Sequence, residues 1–158
     1  MANTQSMCTS FLGELMTATH NFGTAPTRAT SAADTFKGAL YLTTATINAA
    51  TTAYTATGEV SGTNYTAGGV TVTNATPPAS TNSSATAGVG YWTPSASLVY
   101  TTVTLTTAFD TVLIYNSTQS NKAVSVHTFG SQSITAGTFT LTMPANTTTT
   151  ALLRLATT

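Results

Sequence analysis

Asp34-Thr-Phe-Lys-Gly-Ala-Leu-Tyr41 is the stretch that best indicates how this chain folds. Bulky apolar residues at Phe36, Leu40 and Leu42 alternate with Lys37 and its odd-numbered neighbours, which is the period-2 pattern of a half-buried β-strand. The stretch contains no constellation of residues that suggests an active site. It therefore predicts a half-buried β-strand.

The sequence after this strand indicates a long loop and then a second strand. Thr43 to Val60 is rich in Ala and Thr, and we expect a loop there that holds at most a turn of helix. The glycines of Gly58-Glu-Val-Ser-Gly62 and Tyr65-Thr-Ala-Gly-Gly69 are typical of turns, and the last two predict a tight turn. Val70 to Thr73 is the strand predicted to follow.

The C-terminal half contains the clearest strand patterns. Asn116 to Lys122 is rich in turn-forming residues and predicts a hairpin between the strands on either side. Short strands separated by turns, without alternating helices, predict a mainly β fold, an antiparallel β-sandwich or jelly-roll-like domain with a short N-terminal helix or arm. The predicted strands are Leu98–Thr106, Phe109–Asn116, Lys122–Phe129, Thr138–Met143 and Thr150–Leu155.

The first twenty residues predict a short amphipathic helix, because apolar residues recur on one helical face. Thr4 or Ser6 is a candidate for its N-cap. The helix could cover the core of its own domain, or it could be an arm that docks onto a neighbouring subunit. The residues of the apolar face, and so the candidate partner-docking residues, are Met7, Phe11, Leu12, Leu15 and Met16.

Asn21 to Ala33 favours the docking alternative. This stretch of Gly, Pro, Thr and Ala is typical of a linker. The predicted organisation is therefore an N-terminal helical arm with its linker, residues 1–33, followed by a β-sandwich domain, residues 34–158.

Composition restricts the partners. Among 158 residues, four carry a positive and four a negative charge, while 41 are Thr. Binding of nucleic acid or of an anionic membrane needs clustered Lys and Arg, so we expect neither partner. A weakly charged surface does little to prevent association, which suits a protein that packs against neighbours.

Other sequence signals concern the cellular compartment. Cys8 is the single cysteine, so an intrachain disulfide is excluded. The N-terminus has neither the basic nor the apolar region of a signal peptide, and no stretch approaches the roughly 20 apolar residues of a membrane span. We therefore expect synthesis in the cytoplasm.

The inventory of reactive residues predicts no enzyme, no cofactor and no metal site. His20 and His127 lack metal-ligand spacing, and no Gly-x-Ser-x-Gly nucleophile motif occurs. We expect His127 to be a structural strand residue, and His20 to bind the terminal carbonyls of the helix. Lys37–Glu59 and Lys122–Asp110 are the predicted ion pairs, and the remaining carboxylates are Glu14 and Asp34.

Ala79 to Gly90 lacks core-forming residues and predicts a solvent loop. Tyr91 and Trp92 follow it, and we expect them at the edge of the domain. A carbohydrate-binding module remains an alternative function, with Tyr91, Trp92 and Tyr100 as a platform on which a sugar stacks.

A set of short motifs resembles a widespread family of small tailed-bacteriophage virion proteins, over the range from about Asp34 to Leu155. The resemblance implies a structural component of the virus particle and no catalytic activity. The motifs are Asp34-Thr-Phe-Lys-Gly-Ala-Leu-Tyr41, Thr52-Ala-Tyr54, Gly58-Glu-Val-Ser-Gly62, Tyr65-Thr-Ala-Gly-Gly69, Tyr115-Asn-Ser-Thr118, Asn121-Lys-Ala-Val124 and Thr135-Ala-Gly-Thr-Phe-Thr140.

Within a particle, a small neutral β-protein suits a capsid cement or decoration protein on the capsid surface. The expected partners are the major capsid protein and further copies of the chain, as a symmetric homo-oligomer, possible as a dimer or a trimer. Closed symmetry would cover sheet edges that few charges protect. The alternative in the same class is a component of the tail, the neck or a fibre adaptor.

Overall fold

The computed structural model describes residues 3–16, 18–22, 33–81 and 88–156. These residues form two antiparallel sheets and a short N-terminal helix, which confirms the predicted mainly β, sandwich-like fold class. The elements are β1 (Ser6–Met7), α1 (Thr9–Met16), β2 (Phe36–Leu42), β3 (Val70–Val72), β4 (Ala79–Ser80), β5 (Val89–Trp92), β6 (Leu98–Asn116), β7 (Lys122–Leu141) and β8 (Leu153–Ala156).

The larger sheet has the strand order β1-β7-β6-β2-β3, and the smaller sheet has the order β4-β5-β8. The strand predicted from the opening stretch is confirmed as β2, and it pairs antiparallel with both β3 and β6. Its side chains are buried almost throughout, because the opposite half of the domain covers the face that would otherwise meet solvent.

Four short strands were predicted between Leu98 and Met143, but the structure has two long strands there, β6 and β7. They pair with each other as one hairpin ribbon. This ribbon is strongly bent. The ring centroids of Phe129 and Phe139 lie 5.3 Å apart, whereas ten residues of straight strand span about 33 Å. Thr102 and Ala136 have positive φ angles of 53° and 47°, and register shifts accompany them. Such irregularities bend a strand without ending it.

The bend brings the far end of the ribbon back over β2. The Tyr100 hydroxyl donates a 2.8 Å hydrogen bond to the Gly38 carbonyl oxygen, although Gly38 pairs in the sheet with Ile114. The Tyr100 ring stacks on that of Tyr65 at a centroid distance of 6.0 Å. One ribbon therefore contributes to both layers around the core.

An aromatic cluster joins the N-terminal segment to this core. Phe22 stacks on Phe36 at 4.5 Å and contacts Trp92 at 4.7 Å, while Phe11 packs edge-on to Phe22 at 5.9 Å. Phe11 is 2% exposed. α1 thus covers the core of its own domain, the first of the two alternatives considered for it.

Backbone hydrogen bonds fasten the same segment to the sheets. The Cys8 amide donates to the Val124 carbonyl at 3.0 Å, and the Thr4 amide donates to the Ile47 carbonyl at 3.1 Å. Asn21 and Asp34 are joined by two further bonds, of 3.1 and 2.9 Å. The described part of the N-terminal segment therefore packs on the sheets, while residues 23–32 of the predicted linker lie outside the described residues.

Two local predictions are corrected. α1 begins at Thr9, so neither Thr4 nor Ser6 caps it, and Ser6 instead pairs with Val126 in β1. The predicted solvent loop, residues 79–90, includes β4 and the start of β5, because Ala79 and Ser80 pair with Tyr91 and Gly90. Its residues 82–87 are outside the described part.

Other predictions between β2 and β3 are confirmed. The segment from residue 43 to 60, described throughout, contains no helix and touches the sheets through isolated bridges at Glu59 and Ala53. Gly68 and Gly69 have φ angles of 88° and 73° and make the tight turn. A Cβ on Gly69 would clash with the Gly38 backbone, so this close approach requires glycine.

Candidate functional site

Glu14 joins α1 to the start of β7. Its carboxylate oxygens lie 2.7 Å from Lys122 Nζ and 2.7 Å from His20 Nε2. Burial acts to raise the pKa of Glu14, but hydrogen bonds and charge from Lys122 and His20 hold it below its usual value. Lys122 is therefore not the predicted partner of Asp110, and His20 binds side chains rather than helix carbonyls.

The Glu14 network continues through Asn116 to Asp34. Asn116 Nδ2 lies 3.0 Å from His20 Nδ1 and donates to Asp34 Oδ2 at 2.7 Å. Gln119 Nε2 donates to the other Asp34 oxygen at 3.2 Å. These bonds connect α1, the start of β2 and the β6–β7 turn, so the network fixes how three elements meet.

Glu59 is the acceptor of a cluster of tyrosines. It receives hydrogen bonds from the Tyr54 hydroxyl at 2.6 Å, the Tyr65 hydroxyl at 2.7 Å and the Gly68 amide at 2.7 Å. Burial, and then the bond to Glu59, raises the pKa of Tyr54; the pKa of Tyr65 is likewise raised by burial and by Glu59. Both hydroxyls therefore stay protonated donors, and in the described structure Lys37 does not form its predicted ion pair with Glu59.

Asp110 completes the set of carboxylates. It accepts hydrogen bonds from Asn3 Nδ2 at 3.0 Å and from the Thr111 hydroxyl at 2.7 Å. All four carboxylates of the chain thus accept bonds from groups of the same molecule. These bonds fasten separate parts of the fold to one another.

Ser125 and His127 form a pair that sequence reasoning missed. His127 Nε2 lies 2.9 Å from Ser125 Oγ, and burial lowers the pKa of His127 to about 4. The signal was Ser-Val-His within a strand, since alternate strand residues share a face. Acyl transfer needs a base oriented by a third group and an accessible nucleophile. Ser125 is 1% exposed, and no described carboxylate is bonded to His127.

This pair lies at a polar cleft of about 420 Å³ between the edge of the larger sheet and the C-terminal segment. The volume is within the range of pockets that bind small molecules. The residues that line the polar cleft are Gln5, Ser6, Met7, Ser125, Val126, His127, Pro144, Thr150, Ala151, Leu152, Leu153 and Arg154.

A smaller apolar groove, of about 160 Å³, lies between α1 and the smaller sheet. It brings together three of the predicted docking residues, of which Phe11 is buried and Met7 and Leu15 are partly buried; the side chains of Leu12 and Met16 lie outside the described part. The apolar groove is lined by Met7, Phe11, Leu15, Phe22, Pro78, Ala79, Gly90, Tyr91, Trp92, Leu153 and Leu155.

The predicted sugar-stacking platform does not exist. Trp92 is 3% exposed and Tyr100 is 2% exposed, so neither ring presents a face to solvent. Trp92 Nε1 donates to the Thr76 carbonyl at 3.0 Å, which fixes the indole inside the domain. Trp92 is a core residue and not an edge residue.

The described residues contain neither a metal-binding cluster nor a membrane-spanning helix. No group of three or more His, Cys, Asp or Glu side chains is placed to hold a metal ion there. None of the described helical structure has the length and apolar character needed to cross a membrane. Comparison of the chain with known protein families, curated proteins and solved structures finds no match in any of the three.

Proposed function

We propose that this protein is a structural component of a tailed-bacteriophage virion. The more specific proposal is a capsid cement protein that binds the major capsid protein and stabilises the shell as a symmetric homo-oligomer. The resemblance of its motifs to small virion proteins motivates the proposal. The internal hydrogen bonding of all four of its side-chain carboxylates is the structural observation that carries it.

That observation concerns what the molecule presents to neighbours. Each carboxylate accepts hydrogen bonds inside the protein, and one of the described lysines is also paired internally. Uncharged hydroxyl side chains cover the outer face of the bent ribbon instead. The exposed threonines of β6 and β7 are Thr101, Thr102, Thr106, Thr107, Thr135, Thr138 and Thr140. Such a surface can pack against another protein without burying unpaired charge, which is the costly step in forming an interface.

The apolar groove is the contact that this proposal assigns to the major capsid protein. Leu155 at its rim is 44% exposed, and Met7 and Leu15 are partly buried beside it. An apolar segment of the capsid protein would cover these side chains. A cement role needs only a modest contact, because the shell repeats it many times and each copy adds free energy to the assembled state alone.

The copy number of the chain in purified virions tests the proposal, by quantitative mass spectrometry against the major capsid protein. We expect one copy per capsid subunit or a simple fraction of it. A count in single digits or low tens would contradict the cement role and support the tail, neck or fibre-adaptor alternative. Absence from virions would overturn the proposal as a whole.

A further inference from the structure

We propose that the polar cleft binds a small hydroxylated carboxylate, such as a sugar acid. The inference rests on the geometry of the polar cleft and is independent of the proposed function. One wall is the end of the larger sheet, with β1 beside Ser125 and His127 of β7. The opposite wall is the segment from Thr150 to Arg154.

The charge of the polar cleft favours an anion. Arg154 is exposed and is the charged residue among those that line it. Within the described part of the chain, Arg154 forms no ion pair, and every carboxylate is already bonded elsewhere. A guanidinium binds a carboxylate through two parallel hydrogen bonds, which a lysine cannot reproduce. Arg154 is therefore suited to hold the carboxylate of a ligand.

The remaining polar groups favour a ligand with hydroxyls and a single negative charge. Gln5 and Ser6 place neutral polar side chains at the wall of the polar cleft, whereas the Thr150 hydroxyl is already bonded to the Ala145 carbonyl oxygen at 2.8 Å. His127 adds no second cation near neutral pH, since burial lowers its pKa to about 4. Neutral groups pair well with sugar hydroxyls, whereas a phosphate dianion would meet one cation only. The polar groups of the polar cleft therefore match a singly charged sugar acid.

The test uses two ligands that differ in the carboxylate. Titration of the isotope-labelled full chain with glucuronate, followed by amide NMR spectra, should shift resonances at Ser125, His127 and residues 150–154. Glucose lacks the carboxylate and so cannot form the charge-assisted hydrogen bond with Arg154. We therefore expect glucose to bind at least about tenfold more weakly than glucuronate.

Arg154→Gln is the decisive variant, and Lys37→Gln is its matched control. Both replace a described cation without an ion pair, but only Arg154 lines the polar cleft. We expect Arg154→Gln to weaken glucuronate binding about tenfold or more and Lys37→Gln to change it less than about twofold. Equal binding by Arg154→Gln, equal binding of glucose, shifts elsewhere on the protein, or no shifts at ~100 mM glucuronate would each overturn the proposal.

Discussion

Leu98 lies directly over Gly38, so that a Cβ on this glycine would meet Leu98 Cδ1 at 2.5 Å. Gly38 belongs to β2, which lies between β6 and β3 in the larger sheet, and Leu98 begins the strand β6 that bends back across it. The absence of a side chain at residue 38 therefore sets the distance between the two layers. The side chains that fill the space around it, Tyr100 and Val112, are themselves buried.

Gly38→Ala should destabilise the fold strongly. The added methyl group would force Leu98 and the backbone of β2 apart, and such overpacking costs about 1–3 kcal/mol or more. Urea unfolding monitored by circular dichroism measures the change in the free energy of unfolding. Gly130→Ala is the matched control, because a Cβ there has no atom within 4 Å. A Gly38→Ala protein as stable as this control would contradict the close contact between the layers.

Trp92→Ala should lower the free energy of unfolding by about 3–5 kcal/mol, the usual cost of removing a buried indole. The substitution removes the contacts of Trp92 with Phe22 and Phe36 and its hydrogen bond to the Thr76 carbonyl. Tyr91→Ala, at the neighbouring and less buried position, should cost clearly less. A small effect of Trp92→Ala would mean that the aromatic cluster does not hold the N-terminal segment on the core.

Glu59→Gln should cost about 1–3 kcal/mol of stability. Both carboxylate oxygens of Glu59 accept hydrogen bonds, from Tyr54, Tyr65 and the Gly68 backbone N–H. A glutamine side chain has only one acceptor oxygen, and its nitrogen is a donor. Chemical denaturation of the two proteins provides the measurement. Lys37→Gln distinguishes the ion pair predicted between Lys37 and Glu59 from the observed hydrogen bonds between Glu59 and the tyrosines. If the ion pair predicted from the sequence were present, both substitutions would destabilise; in the observed network Lys37→Gln stays within about 0.5 kcal/mol of the original protein.

His127 should make the protein less stable as the pH falls. Its pKa is lowered by burial from 6.5 to about 4, so between these values the unfolded chain binds a proton that the folded imidazole does not. The contribution of neutral His127 to the free energy of unfolding is therefore present above pH 6.5. It falls by about 2–3 kcal/mol as the pH is lowered to 4.5. Denaturation at a series of pH values should give a flatter profile for His127→Gln. An identical slope in the two proteins would contradict the lowered pKa of the partly buried His127.

Local patterns in the sequence predicted β2, β3 and much of β6, β7 and β8, but neither the short strands β1, β4 and β5 nor the bend in the ribbon. The alternation of Phe36, Leu40 and Leu42 is a property of adjacent residues, and it correctly located β2. Between Leu98 and Asn116, Thr107 and Ala108 were predicted to separate two strands. The ladder continues there because β7 supplies the partner, and that pairing is not visible in either segment alone.

Charged contacts could not be predicted for a similar reason. The predicted partner of Lys122 was Asp110, which is close to it in sequence. The observed partner, Glu14, is 108 positions away. His20 and Asn116, which complete the same network, are 96 positions apart. Their meeting depends on α1 packing beside the β6–β7 turn, so the network follows from the tertiary fold and leaves no periodic signal.

The inward orientation of the carboxylates has a consequence for the medium around the protein. Screening by dissolved ions weakens interactions between exposed charges over a Debye length of about 10 Å at 0.1 M salt. A molecule whose acidic groups are bonded internally, and whose outer ribbon carries threonine hydroxyls, offers few such interactions to screen. If the protein associates with others through this surface, as proposed, that association should vary little with salt concentration.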